Sequence, residues 1–169
     1  MGMDVIAETV RLNLRQLTLA DAPFIVELVN TPGWLRFIGD RNIKTNEQAE
    51  NYLTNGPMAS YAQNGFGLFG VELKSEKKLI GMCGLIKRET LPNPDIGFAF
   101  LPDCMGIGFA FEAANAVMAL ATNTLKLPTV LAITLPDNQP SRKLLEKIGL
   151  TFVRIISSPD KEELMLYSN

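Results

Sequence analysis

The sequence contains no histidine. That absence removes Ser-His-Asp and Cys-His catalysis, histidine zinc sites and the HExxH motif together. Proton transfer in this chain must fall to a carboxylate, a tyrosine, a lysine, a cysteine, an N-terminal amine or water. Cysteine is scarce. Cys83 and Cys104 stand far apart, so neither a disulfide framework nor a metal-ligand spacing arises, and no metal is expected. No apolar run approaches the roughly 18 residues that a membrane span requires. The longest such stretch, after Gly106, is interrupted by Glu112 and Asn115. The opening Met1-Gly-Met-Asp-Val-Ile6 lacks the basic and apolar regions of a signal peptide. A cytoplasmic location is the expectation. Neither charge dominates: 16 Lys and Arg face 18 Asp and Glu, a net charge of -2. That balance argues against a partner held by bulk charge, such as a nucleic acid or an anionic membrane.

What is present suits one α/β domain spanning residues 1–169, since 169 residues that are 47% hydrophobic suffice for one sizeable core. No internal repeat, linker or low-complexity tract interrupts it. Arg11-Leu-Asn-Leu-Arg-Gln-Leu-Thr18 alternates apolar and polar residues, as a half-buried strand does. Thr18 or Asp21 can cap a first helix that ends near Asn30, before Thr31-Pro-Gly33. A loop carrying Trp34, Phe37, Ile38, Asp40 and Arg41 is expected next. Thr45-x-x-Gln48 is a capping box for a second helix, which Gly56-Pro57 should kink or split. Strands are expected at Phe66–Leu73, Lys78–Lys87 and Asp95–Leu101, then a glycine loop over 102–108. A helix runs from Gly108 to Leu125, with Phe109, Ala113, Ala116, Val117 and Leu120 on one face. A strand over 129–135, a short helix capped by Asn138 and two closing strands follow. The order β-α-α-β-β-β-α-β-α-β-β describes a mixed, central twisted sheet of about seven strands with helices, neither a bundle nor a sandwich.

The chemistry concentrates between Asp95 and Ala113. A strand leads through Pro102-Asp-Cys-Met-Gly-Ile-Gly108 into the first turns of a helix. Gly106 and Gly108 permit close approach of a ligand to the backbone. The N–H groups of Met105 to Ala110 can converge on an anion at the helix N-terminus, and a diphosphate is the natural guest. A tight turn that binds nothing fits the same residues. A Walker A loop is excluded because Gly-Lys-Ser/Thr is missing. A dinucleotide fingerprint fails because Phe111 stands where a small residue is needed, and no acid occurs around Pro128 to Val130.

The run Ile96-Gly-Phe-Ala-Phe-Leu-Pro102, followed by Met105-Gly-Ile-Gly-Phe-Ala-Phe-Glu-Ala113, resembles the coenzyme A pyrophosphate loop of the GCN5-related N-acetyltransferases (GNAT superfamily). It is most similar to the branch that acetylates ribosomal-protein N-termini. A second block, Asp137-Asn-Gln-Pro-Ser-Arg-Lys-Leu-Leu-Glu-Lys-Ile-Gly149, and the opening Arg11 to Thr18 resemble the same branch. Together they extend over nearly the whole chain. The resemblance implies a GNAT-like fold, acetyl-CoA as co-substrate, a primary amine as acceptor (a protein N-terminus or a small molecule), and a monomer or homodimer. It also implies direct attack of the amine in a ternary complex. Two departures are plain. Met105 and Ile107 replace residues whose side chains commonly reach the diphosphate, and Leu145 stands where many relatives carry a tyrosine acid. Those departures motivate the alternative of a non-catalytic acyl-CoA-binding sensor.

By this resemblance Met105, Gly106, Ile107, Gly108, Phe109 and Ala110 form the cofactor loop. Backbone N–H groups around Phe98, Phe100 and Leu101 polarise the thioester. Asn138 either bonds the pantetheine arm or caps its helix, and Ser141 faces the same region or is an ordinary first-turn serine. Asp95 is either the general base or a solvated strand-end carboxylate. Trp34, Phe37, Asp40 and Arg41 either wall the acceptor site or form a packing loop with a surface salt bridge. Cys104 is a candidate reactive thiol or a bland small residue, and Glu112 is structural. Binding of acetyl-CoA to the native state alone should raise stability by about 2.7 kcal/mol at roughly 100 times its Kd. A thermal melt with millimolar acetyl-CoA checks this, and an unmoved Tm would count against coenzyme A binding.

Overall fold

The computed structural model describes residues 4–169. The expectation drawn from Met1 to Met3 therefore lies outside the described residues. Among the described residues, eight strands form one sheet in the order β1-β2-β3-β4-β5-β6-β8-β7. They are β1 (Val5–Glu8), β2 (Leu12–Arg15), β3 (Leu68–Leu73), β4 (Lys78–Ile86), β5 (Asp95–Phe100), β6 (Leu131–Thr134), β7 (Thr151–Ser157) and β8 (Glu163–Ser168). Every pairing is antiparallel except β5 with β6. Among the described residues, six α-helices accompany the sheet: α1 (Ala22–Val29), α2 (Pro32–Phe37), α3 (Asn46–Asn55), α4 (Pro57–Asn64), α5 (Phe109–Ala119) and α6 (Gln139–Lys147).

Strand alternation sorts the core into two layers. Ile80, Cys83, Leu85, Ile96 and Phe100 join the cluster under α5, with Ala113, Val117 and Leu145. Leu79, Met82, Ala99 and Leu101 join the opposite cluster, with Ile25, Leu28, Trp34, Ala49 and Leu53 from α1 to α3. Because β4 is covered on both faces, it reads as a continuous apolar run rather than an alternating one.

Local signals act as the residues dictate. Thr45 and Gln48 make their reciprocal cap at 3.1 Å each way. Gly56-Pro57 splits α3 from α4, and Gly65 ends α4 at φ +76°. The Asn138 Oδ1 accepts from the Ser141 N–H at 3.3 Å. The sheet has eight strands rather than about seven, because the short, largely exposed Val5–Glu8 adds an edge strand. The stretch after Thr31 is not a loop throughout. Pro32 occupies the first position of a short helix, where its missing N–H costs nothing, and Gly39 (φ +116°) ends it with its N–H on the Trp34 carbonyl. The long helix also changes pitch, as Leu125 donates to the Leu120 carbonyl five residues back.

Among the described residues, Arg15 and Asp21 form an ion pair in which both partners are buried. Arg15 (5% exposed) forks onto Asp21 (8% exposed) at 2.9 and 3.0 Å, and its Nε reaches Glu72 at 3.3 Å. Asp21 also accepts the Thr18 N–H, so one carboxylate ties β2 to the start of α1. Asp21→Ala leaves a buried guanidinium without this partner. It should lower stability by about 3–5 kcal/mol in urea unfolding.

Candidate active site

The site begins where β5 and β6 part. They pair through Asp95 and Leu131 alone, with the Leu131 N–H on the Pro94 carbonyl at 2.9 Å. Beyond that point β6 stays with β8 and β5 stays with β4. The Pro94 carbonyl faces β6, so by alternation the N–H groups of Ile96, Phe98 and Phe100 face that side; Ile96 lies within the Asp95–Leu131 pairing, and Phe98 and Phe100 lie beyond it, at the fork. Those of Gly97, Ala99 and Leu101 face β4, and the Leu101 N–H indeed donates to the Ile80 carbonyl at 2.9 Å. Phe98 and Phe100 therefore keep donors directed into the fork, whereas Leu101 does not. Its side chain is buried in the cluster beneath α1 to α3. The thioester-polarising set expected over 98–101 is corrected accordingly.

The fork opens into a cavity of about 480 Å³. Met105, Gly106, Gly108 and Ala110 line it, as do Phe98, Phe100, Asn138 and Ser141. Gly106 and Gly108 have φ +77° and +90°, conformations that only glycine takes without strain. The Met105 N–H already donates to the Pro102 carbonyl at 3.2 Å, so the run of open donors starts at Gly106 rather than at Met105. Among the described residues, the N–H groups of Gly106 to Ala110 have no hydrogen-bond acceptor within the chain. The Ile107 side chain is exposed, and the Phe109 side chain is buried against α5's own core cluster. Neither side chain lines the cavity, so both residues offer backbone only. Cys104 lies on the cavity wall within a short 3₁₀ turn, ahead of the helix rather than at its first turn. Burial, joined by the charge of Asp103, pushes its thiol up, opposite to the lowering that a helix N-terminus would give.

The opposite wall comes from α2 and its neighbours. Trp34, Phe37 and Arg41 line the cavity, together with Tyr52 of α3. Asp40 does not. Its carboxylate accepts the Asn42 N–H at 2.8 Å and lies 3.7 Å from Lys44 on the surface. The Trp34 Nε1 is buried with no acceptor, an orphan donor in this wall. Asp95 sits at the root of the fork, on the strand face shared with Ala99. It is 1% exposed, so it is not the solvated strand-end carboxylate that one reading allowed. The Arg88 Nε donates to its Oδ1 at 2.9 Å. Burial pushes the Asp95 carboxyl above its usual range, and Arg88 offsets only part of that.

The family model described as "Acetyltransferase (GNAT) domain" matches residues 11–151. The chain belongs to the GNAT acetyltransferase family. The uncharacterized N-acetyltransferase YoaA of Bacillus subtilis is 32% identical over 146 residues, covering 85% of this acetyltransferase and 81% of YoaA. A crystal structure of an acetyltransferase from Agrobacterium tumefaciens superposes with a TM-score of 0.82 at 25% identity, over 100% of this chain and 95% of the other. RimL, a ribosomal L7/L12 α-N-protein acetyltransferase solved with coenzyme A, has the same fold. Its TM-score is 0.82 at 15% identity, covering 98% and 97% of the two chains.

Sequence reasoning missed several residues of this site. Arg88, Tyr52, Phe111, Leu144 and Lys147 also line the cavity of the acetyltransferase. Arg88 carried no motif, and only its pairing across the β4–β5 connection with a buried carboxylate identifies it. Lys147 is the cation in the last turn of α6, and its Nζ lies 4.3 Å from the Phe111 ring centroid on the cavity wall. A Cβ built on Gly108 would stand 3.3 Å from the Arg11 Nη2, so a side chain there displaces the guanidinium as well as straining the backbone. Gly108→Val should therefore abolish measurable coenzyme A binding in calorimetry, while circular dichroism still reports a folded chain.

Proposed function

We propose that this chain transfers the acetyl group of acetyl-CoA to a primary amine by direct attack within a ternary complex. The observation that carries the proposal is the fork. Donors of Phe98 and Phe100 face into it, and the open donors of Gly106 to Ala110 stand at its mouth. The loop and helix N-terminus suit the diphosphate, and the fork suits the extended arm that ends in the thioester. An N–H of β5 polarises the thioester carbonyl as charge develops on its oxygen. The amine nitrogen forms a bond to the carbonyl carbon, the carbon–sulfur bond breaks, and the coenzyme A thiolate leaves. Leu145, 2% exposed and on the cavity wall, donates no proton to it.

Asp95 takes the proton from the attacking amine. Its burial supports this role, because a carboxylate held above its usual range is the stronger base. Asn138 and Ser141 line the same cavity, and the Asn138 side chain also caps α6, so both uses of that residue are compatible. Trp34, Phe37 and Arg41 form the acceptor wall. Arg41, Arg88 and Lys147 are the cations lining the cavity, against Asp95, which Arg88 already neutralises. That charge disfavours a polycationic acceptor and favours a peptide N-terminus or a neutral amine. The unpaired Trp34 Nε1 fits an acceptor that brings a carbonyl close to its amine.

Asp95→Asn should lower kcat/KM for acetyl transfer by about 10²–10⁴ at neutral pH. Wild-type activity should fall as pH drops through the raised Asp95 value, and this acid limb should vanish in the variant. An unchanged pH–rate profile would remove Asp95 from the mechanism. Tight acetyl-CoA binding without turnover across peptide, polyamine and small-molecule amines would instead identify a sensor.

A further inference from the structure

Arg11 reaches the glycine loop from the turn between β1 and β2. Its Nη1 donates to the Ile107 carbonyl at 3.2 Å, and its Nε to Glu112 Oε1 at 2.8 Å. The guanidinium carbon lies 4.3 Å from the Phe109 ring centroid. Glu112 is held from the same turn, because its other oxygen accepts the Arg11 backbone N–H at 2.9 Å and the Thr9 hydroxyl. Burial alone would raise the Glu112 carboxyl, but these donors together hold it below its usual value. Glu112 therefore stays ionised and largely neutralises the guanidinium. What Arg11 adds to the loop is direction more than net charge.

The direction follows from the peptide unit. A trans peptide points its C=O and N–H to opposite sides. The Ile107 carbonyl faces Arg11, so the Gly108 N–H faces away from Arg11. Gly108 lines the cavity, and its N–H has no acceptor within the chain. A loop with glycines at positions 106 and 108 has many other conformations open to it, and ordering it costs entropy. The Met105 and Ile107 side chains supply no polar group to resist that freedom.

We propose that Arg11 is a positioning residue for the cofactor diphosphate, fixing the Ile107–Gly108 peptide so that its N–H is preset toward the phosphate. This rests on the reading of the Gly106 to Ala110 loop as the diphosphate site. It predicts a defect confined to ligands that carry the diphosphate. Arg11→Gln should weaken coenzyme A binding and raise KM for acetyl-CoA about tenfold, the scale of one charge-assisted hydrogen bond, with kcat nearly unchanged. Binding of pantetheine, and turnover of S-acetylpantetheine, should not change. Arg11→Lys keeps a cation that can reach one acceptor but not the fork, so it should fall between wild type and Arg11→Gln. If Arg11→Gln fails to fold by circular dichroism, Arg11→Lys decides the question by the same comparison.

Equal losses for acetyl-CoA and S-acetylpantetheine would overturn the proposal and leave Arg11 as an anchor of α5. An unchanged coenzyme A Kd in a folded variant would overturn it as well. A wild-type chain that fails to prefer coenzyme A over pantetheine would show that the loop is not a diphosphate site. The underlying reading would then fall, and the role of Arg11 with it. A wild-type preference untouched by Arg11→Gln would overturn only the role of Arg11.

Discussion

A parallel pair of strands that separates leaves backbone donors and acceptors facing a gap, and buried backbone groups rarely go unpaired. In this molecule β5 and β6 share one residue pair before they diverge. β6 cannot return to β5 because β8 holds it along Leu131 to Thr134, and β5 cannot shift because β4 holds it along Asp95 to Phe100. The gap is therefore a fixed consequence of sheet pairing and not a loop property. Everything assigned to the site depends on it. The outward donors of β5, the glycine loop that follows β5, and Asn138 on the connection after β6 all take their positions from the two diverging strands.

The two core layers explain why the fork is two-sided. Ile96, Phe98 and Phe100 turn toward α5, whereas Asp95, Gly97 and Ala99 turn toward the face that α1 to α3 cover. A carboxylate at Asp95 thus shares its face with the wall built by Trp34 and Phe37, across the sheet from the helix that carries the glycine loop. On the proposed reading, strand periodicity alone separates a cofactor side from an acceptor side.

Much of this was legible in the sequence wherever a residue acts on its near neighbours. The Thr45–Gln48 cap, the Gly56-Pro57 break, the Gly65 stop and the Asn138 cap all rest on contacts within a few residues, and all are found. The glycine loop was legible for the same reason, since φ +77° and +90° demand glycine locally. What could not be read depends on distant partners. Val5–Glu8 is a strand because β2 lies beside it, not because of any alternation of its own. The Leu101 N–H is spent on Ile80, and the Met105 N–H on Pro102, which no spacing rule reveals. The burial of Asp95 comes from the sheet around it, and its Arg88 partner from the β4–β5 connection.

The absence of histidine and of a tyrosine at Leu145 then acquires a structural sense. The thiolate of coenzyme A is a good leaving group near neutral pH compared with an alkoxide or amine, so a side-chain acid is the more dispensable partner. The nucleophile is the harder requirement, because an amine is largely protonated at neutral pH and must lose a proton to attack. The chain invests accordingly. It places one buried carboxylate at the fork's root, beside a guanidinium that offsets part of the rise caused by burial, and lines the same cavity with the apolar Leu144 and Leu145. On the proposed mechanism, an apolar wall would exclude water from the thioester and strengthen the pull of the β5 donors on its carbonyl, since fixed dipoles act more strongly where the dielectric is low. In that proposal the same Leu145 that removes an acid reinforces the polarisation on which acetyl transfer would depend.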